Sequence, residues 1–355
     1  MAGRVARFLI SASVALTLAA LVSSSAFALV EPDGPRLAVV ENTLFPFRFD
    51  LTTVDETGAQ PLRLAGGGPK TRPLPEEFTL PSWSPDGSMV VFVALSGSLD
   101  QGPRAVRLYV SSSDGSEVRP IKGTRGAEEP KFAPDGRTVF FTRYWFRSRV
   151  NGHGKKEIVR SGASVWAVDV SGGSVRRITP DRNGVWMYAG SFSPDGEDLL
   201  ASRSSRRGSW SVVRINLTSG KTSVLLRRGA DPVYSPDGSK VAFVRWRNVH
   251  RRGGKSELRS DLFTVRSGGG GLRRVTRSPG YDHSASWDPS GERLAFVRYL
   301  PEWAEPEELG YGSALMQMNA DGSCLGFVLR PSLDVAFFGV AWQPGPSREA
   351  GRIEC

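Results

Sequence analysis

The sequence predicts an all-β fold: a six-bladed β-propeller of four-stranded antiparallel blades. Three observations carry this. A proline-centred turn signature recurs seven times along the 355 residues. Each full copy is followed by the same succession of short strand-like runs. The first and last copies are incomplete in complementary ways, so each end of the chain supplies what the other lacks.

The turn prolines are Pro32, Pro85, Pro134, Pro194, Pro236, Pro289 and Pro344, on average about 52 residues apart, the period of a stacked or radial array. Pro presets φ at the first corner, Asp bonds its own backbone and Gly accepts positive φ. Ahead of the turn, a short apolar piece ends in Trp83, Phe132, Phe192, Tyr234, Trp287 or Trp342. Behind it, the β-branched and aromatic runs 89–95, 138–144, 240–246 and 293–299 suit strands in a layered interior. A third strand follows at 107–115, 165–173, 211–220, 262–270 and 315–322, each ending in a small polar turn. A fourth run, such as 118–122 or 175–179, completes the unit. Four antiparallel strands repeated radially make a propeller blade.

The copy at Pro32 lacks the aromatic strand that should precede it, whereas the copy at Pro344 has that strand (335–342) and stops after the turn. Pairing 335–342 beside 36–42 would close the ring through its N- and C-terminal strands and leave no open sheet edge. Six intervals plus this closure set the count at six. Seven is the alternative if a connecting segment hides a degenerate blade. The chain then divides into a signal peptide (1–28), a propeller (29–345) and a C-terminal tail (346–355).

Trp-Ser-Pro-Asp-Gly followed by an apolar strand, as at 83–87, resembles the PD40 repeat of the TolB-like propeller family, and the resemblance runs from Pro32 to Gly345. Two copies depart from the pattern. Ala133 replaces the serine in one, and 288–291 reads Asp-Pro-Ser-Gly in the other. The resemblance implies a propeller whose polar and acidic side chains near the channel mouth meet a partner peptide or a cation.

Arg4 and Arg7, an apolar stretch from Phe8 to Val22 and the small-x-small site Ala26-Phe27-Ala28 read as a secretory signal. The expected location is periplasmic, cell-envelope or extracellular, with membrane attachment only if the signal stays uncleaved. Cys324 and Cys355, the two cysteines, both fall in the exported part, where an even count permits a disulfide. A buried Cys324 with a frayed Cys355 is the alternative. The net charge of +10 suits acidic partners or anionic envelope polymers. It equally suits a surface that is merely basic. The export signal argues against nucleic acid.

Strand order places the Pro-Asp-Gly turns on one face, with the strand two-to-three connections and the blade-to-blade connections on the other. Insertions on one face of a repeat scaffold are where binding function usually sits. Three of these connections, 145–162, 204–209 and 246–261, read as basic loops holding Arg147, Arg149, Lys155, Lys156, Arg206, Arg207, Arg247, Arg251 and Arg252. They are expected to receive an acidic partner. Glu77, Glu129, Asp231 and Asp282 precede the turn prolines and are expected at the channel rim, the alternative being acids that cap turns or pair with arginines. His153, His250 and His283 fall on the same face; as metal ligands they would point to a metal-assisted lyase or hydrolase of acidic polysaccharide. Nucleophile-elbow, Walker, H-E-x-x-H and paired-cysteine metal motifs are all absent from the sequence. The expectation is therefore a monomeric, non-catalytic scaffold without cofactor, binding a protein or peptide. A structural envelope protein is the remaining alternative.

Overall fold

Residues 35–43, 48–66, 81–95, 106–150, 152–250, 256–300, 312–332, 335–345 and 352–355 are described by the computed structural model. They belong to the compact unit Gly34–Cys355. Every regular element among these residues is a β-strand; none is a helix. The expected signal peptide, Glu77, Arg251 and Arg252 lie outside the described residues, and Arg149, Lys156 and His250 are described for backbone alone.

Hydroxyl, carboxylate and glycine build the recurring turn together. Ser84 Oγ donates to Asp86 Oδ1 at 2.6 Å and accepts the Met89 N–H at 2.9 Å. Ser193 with Asp195 and Asp198, and Ser235 with Asp237 and Lys240, repeat both bonds. The carboxylate also accepts a backbone N–H two residues on, from Ser88, Glu197 and Ser239. In the Asp-Pro-Ser-Gly copy the two groups change places and keep the bond: Ser290 Oγ donates to Asp288 Oδ2 at 2.6 Å. Asp288 Oδ1 then takes over the serine's second task, accepting the Arg293 N–H at 2.8 Å. Where Ala133 removes the hydroxyl, Asp135 binds Thr138 instead, through Oγ1 at 2.6 Å and N–H at 2.7 Å.

Successive turns also touch. A Cβ on Gly238 (φ 71°) would stand 2.9 Å from Pro194 Cδ, and Gly196 lies against Pro134 in the same way. Gly87 meets the carbonyl of Pro344, so the last turn rests on the first complete one.

Leu37–Thr43, Arg48–Val54 and Leu62–Gly66 form a four-stranded sheet with Val335–Trp342. In it Leu37 stands opposite Trp342 and Thr43 opposite Val335. A second sheet comprises Ser82–Trp83, Met89–Leu95, Val106–Ser112 and Val118–Pro120. Two eight-stranded sheets follow. Each divides at a single parallel pair, Ala163 with Trp186 and Ser260 with Tyr281, into two four-stranded halves. The first strands of the units line one cavity, and hydroxyls and indoles tie them together. Ser82, Ser191 and Ser286 accept the N–H of Phe132, Tyr234 and Trp342 on the next unit, at 3.1, 2.7 and 3.0 Å. Trp83 and Trp287 donate Nε1–H to the carbonyls of Ala341 and Val233 on the preceding one.

The core lies between sheets. Val91, Leu108 and Val110 of the second sheet pack with Val139 and Phe141 of the next unit. Leu37, Val39 and Val340 pack with Ala295, Val297 and Leu315. Each such valine, leucine or phenylalanine, wholly buried, stabilises the fold by about 1.5–3 kcal/mol.

Two segments expected as basic loops are strands. Thr138–Val150 pairs with Lys156–Asp169, and Lys240–His250 with Ser256–Arg266, so both hairpins run on past the body of their sheets. Their many charged residues do not prevent this, because an exposed hairpin tolerates arginine on either face. At the other end, Cys324 and Cys355 are disulfide-bonded with Cα atoms 5.3 Å apart. Asn319 adds two bonds to the backbone of Ile353, and Arg352 pairs with Asp321. The covalent link closes a loop across a sequence separation of 31 and restricts the unfolded chain by about 3.5–4 kcal/mol on loop-entropy grounds.

Candidate functional site

The first strands of the units meet around a cavity of about 190 Å³ lined by Glu129, Lys131, Tyr188, Ser191, Asp231 and Ser284, among others. Four of these strands carry the same irregularity. Trp186–Phe192 shifts between Ala189 and Phe192 without any positive φ. The pairing of the other three shifts between Glu128 and Lys131, between Ala230 and Val233, and between His283 and Ser286. At each of these three shifts a non-glycine residue takes positive φ: Glu129 at 51°, Asp231 at 50° and Ser284 at 56°. Each stands five residues before its turn proline (Pro134, Pro236, Pro289). A bulge of this kind re-aims a side chain, and left-handed backbone outside glycine costs on the order of 1 kcal/mol. Such strain concentrates at functional sites.

Hydroxyls from second strands hold the bulges. Thr142 Oγ1 donates to Glu129 Oε2 at 3.2 Å and accepts the Ala189 N–H at 3.1 Å. Ser202 Oγ accepts the Asp231 N–H at 2.8 Å. Burial pushes the Asp231 carboxyl up to about 6, with Lys131 opposing the shift. Burial lowers the Lys131 ammonium, while Glu129 and Asp231 pull it back. Both side chains keep partial solvent access through the cavity while protein surrounds them. The cavity thus presents one cation between two acids, a pair of charges a polar ligand can divide.

The other expected site residues separate. Asp282 is not a rim acid: it is wholly buried and accepts both arms of Arg298, at 2.7 and 2.9 Å. Arg247 is likewise structural, sharing Asp261 with Arg274 at 2.9 and 2.8 Å and donating to the Ser278 carbonyl. Arg206 donates to the Asn183 carbonyl at 2.7 Å, Arg207 is exposed beside it, and Arg147 stacks over Trp145. His153 and Lys155 stand in the exposed turn of the first long hairpin. His283 lies on an inner strand, its Nδ1 2.8 Å from Ser284 Oγ. Among the described residues, no three His, Cys, Asp or Glu side chains group as metal ligands. Lys131 and Tyr188 escaped the sequence reading. The signal for Lys131 was a lone lysine, three residues before Pro134, in an otherwise compact strand end.

Desolvation lowers the His283 imidazole to about 4. The unfolded chain binds this proton near pH 6.5, so stability is full above that pH and falls as pH drops toward 4. His283→Gln should remove about 1–3 kcal/mol of that loss, discounted for the ring's partial exposure, as read from urea midpoints at pH 7 and pH 4.5. Equal slopes in both proteins would show that the ring does not titrate in this window.

No protein-family profile matches the sequence. The chain is 31% identical over 190 residues to the Tol-Pal system protein TolB of Anaeromyxobacter dehalogenans, covering 52% of this chain and 38% of that protein. It therefore spans about two fifths of that relative's length. It is 27% identical over 273 residues to the uncharacterized protein Atu1656 of Agrobacterium fabrum, covering 77% of this chain and 69% of that one. Among solved structures, TolB from Acinetobacter baumannii superposes with a TM-score of 0.61 at 23% identity, over 88% of this chain and 67% of that one. The repeated turns, the all-strand architecture and these similarities together show a β-propeller similar to that of TolB.

Proposed function

We propose that this protein is an exported six-bladed scaffold, its ring closed by Leu37–Thr43 pairing with Val335–Trp342, that takes a protein or peptide partner at the axial cavity. The observation that carries the reading is the convergence of Glu129, Lys131 and Asp231 on one cavity, two of them on strained bulges that a purely structural ring does not require. A rigid scaffold limits the entropy lost on binding. The partner approaches from the face of the long hairpins, where exposed cations favour acidic segments. Export rests on the signal-like residues 1–28.

The test uses a photo-crosslinking amino acid placed singly at Tyr188 or Ser284 on the cavity, and at Glu197 or Ser239 on the Pro-Asp-Gly turns. Discrete adducts are expected from the cavity positions alone and should vanish with Lys131→Glu. Equal adducts from the turn positions, or none from the cavity, would overturn the proposal. N-terminal sequencing of the mature protein should begin at Leu29.

A further inference from the structure

A run of aromatic rings crosses three neighbouring units at the face of the long hairpins. Trp186 meets Tyr144 at 5.9 Å between centroids, Tyr144 meets Tyr188 at 6.2 Å, Tyr188 meets Trp210 at 5.5 Å and Trp210 meets Trp246 at 5.7 Å. None of the five is buried, and Trp246 is 37% exposed. Tyr188 lines the axial cavity, so the run leads from the axis outward. Rings that brace one another are already ordered and lose little freedom when a ligand stacks on them.

Cations surround the outer half of the run. The exposed Arg206 and Arg207 occupy the tight turn that leads into Trp210. Arg206 reaches the Asn183 carbonyl three residues before Trp186. On the other side of Trp210, its carbonyl accepts the N–H of exposed Arg228. None of these three arginines has an acidic partner among the described residues. Arg228 also lies close enough to Arg245 to oppose its charge, after the larger effect of burial. Uncompensated guanidiniums beside stacked aromatics complement a polymer that carries a carboxylate and a flat C–H face on every unit. Aromatic faces take the C–H groups, and guanidinium forks take the carboxylates in paired bonds.

We infer that the Tyr144–Trp186–Tyr188–Trp210–Trp246 run, with Arg206, Arg207 and Arg228, is a binding strip for an acidic oligosaccharide. It is a second site, which touches the axial cavity at Tyr188 alone. An acidic peptide offers the carboxylates without regular C–H faces, so it should satisfy the arginines alone.

The experiment titrates the full exported chain with a uronic-acid hexamer (alginate), cellohexaose and hexaglutamate, following tryptophan fluorescence and heat. The alginate hexamer should bind at least tenfold more tightly than either control. Trp246→Ala should weaken it tenfold or more. Arg206→Ala with Arg207→Ala should weaken it similarly and flatten its dependence on salt. Lys131→Glu in the axial cavity should leave it unchanged, which separates failure of one site from failure of the other. Thermal midpoints within a few degrees of wild type would confirm that each variant folds; Trp246→Phe, which keeps a ring, should restore most of the affinity. Hexaglutamate binding as tightly as alginate, cellohexaose binding as tightly, indifference to Trp246→Ala, or no binding of alginate would each overturn the inference.

Discussion

Val39→Asp should destabilise the protein by about 3–5 kcal/mol, because it puts an unpaired charge where no water reaches. Val39 is 1% exposed and stands between Thr52 and Val340 in the sheet that joins the two ends of the chain. Its side chain packs with Leu37, Val297, Phe337 and Val340. The loss should appear as a lower urea midpoint with an unchanged slope. Val39→Ile, which keeps the apolar character and adds one methylene, should cost less than the aspartate, about 1–3 kcal/mol. Val224→Asp, on an exposed strand position, should stay within about 0.5 kcal/mol. A Val39→Asp effect as small as the Val224→Asp effect would mean that the end strands contribute nothing to the fold in solution.

Asp282→Ala should cost a similar amount, about 3–5 kcal/mol, for a different reason. The carboxylate is wholly buried, and Arg298, a tenth exposed, spends both guanidinium arms on it. Removing one partner strands the other as an uncompensated buried charge. Replacing both, with Asp282→Leu and Arg298→Met, should recover most of the stability, since a well-packed apolar pair often equals or exceeds a buried ion pair. Urea melts of the two single variants and the double variant measure the coupling. If Asp282 were a rim acid, the single replacement would be nearly silent in stability.

Local chemistry made much of the fold readable. The turn is built from a hydroxyl, a carboxylate and a glycine, and these recur in the chain with a strand-like run starting close behind them. The long hairpins were less readable. Arginine and glycine suggested loops at 145–162 and 246–261, yet the registers Arg147 to Val159 and Arg247 to Arg259 belong to strands. Pairing across a hairpin decides that outcome, and composition within one segment does not report it. The candidate site divided the same way. Glu129 and Asp231 were visible as acids before a turn proline, whereas their joint position depends on bulges set by neighbouring strands. Asp282 stands just two residues before another bulge residue, Ser284, and turns inward to Arg298 instead. Charge pattern alone cannot tell these two fates apart; the pairing register can.

The exchange of Asp288 and Ser290 bears on how such chains are found. One corner works with acid then hydroxyl or hydroxyl then acid, because either order keeps the short contact and leaves an acceptor for the N–H of the following strand. Two orders of the same two letters therefore give one geometry. A search keyed to fixed letter order will undercount these corners and miss whole wheels made of permuted copies. Scoring the unordered couple, followed by glycine, would recover them.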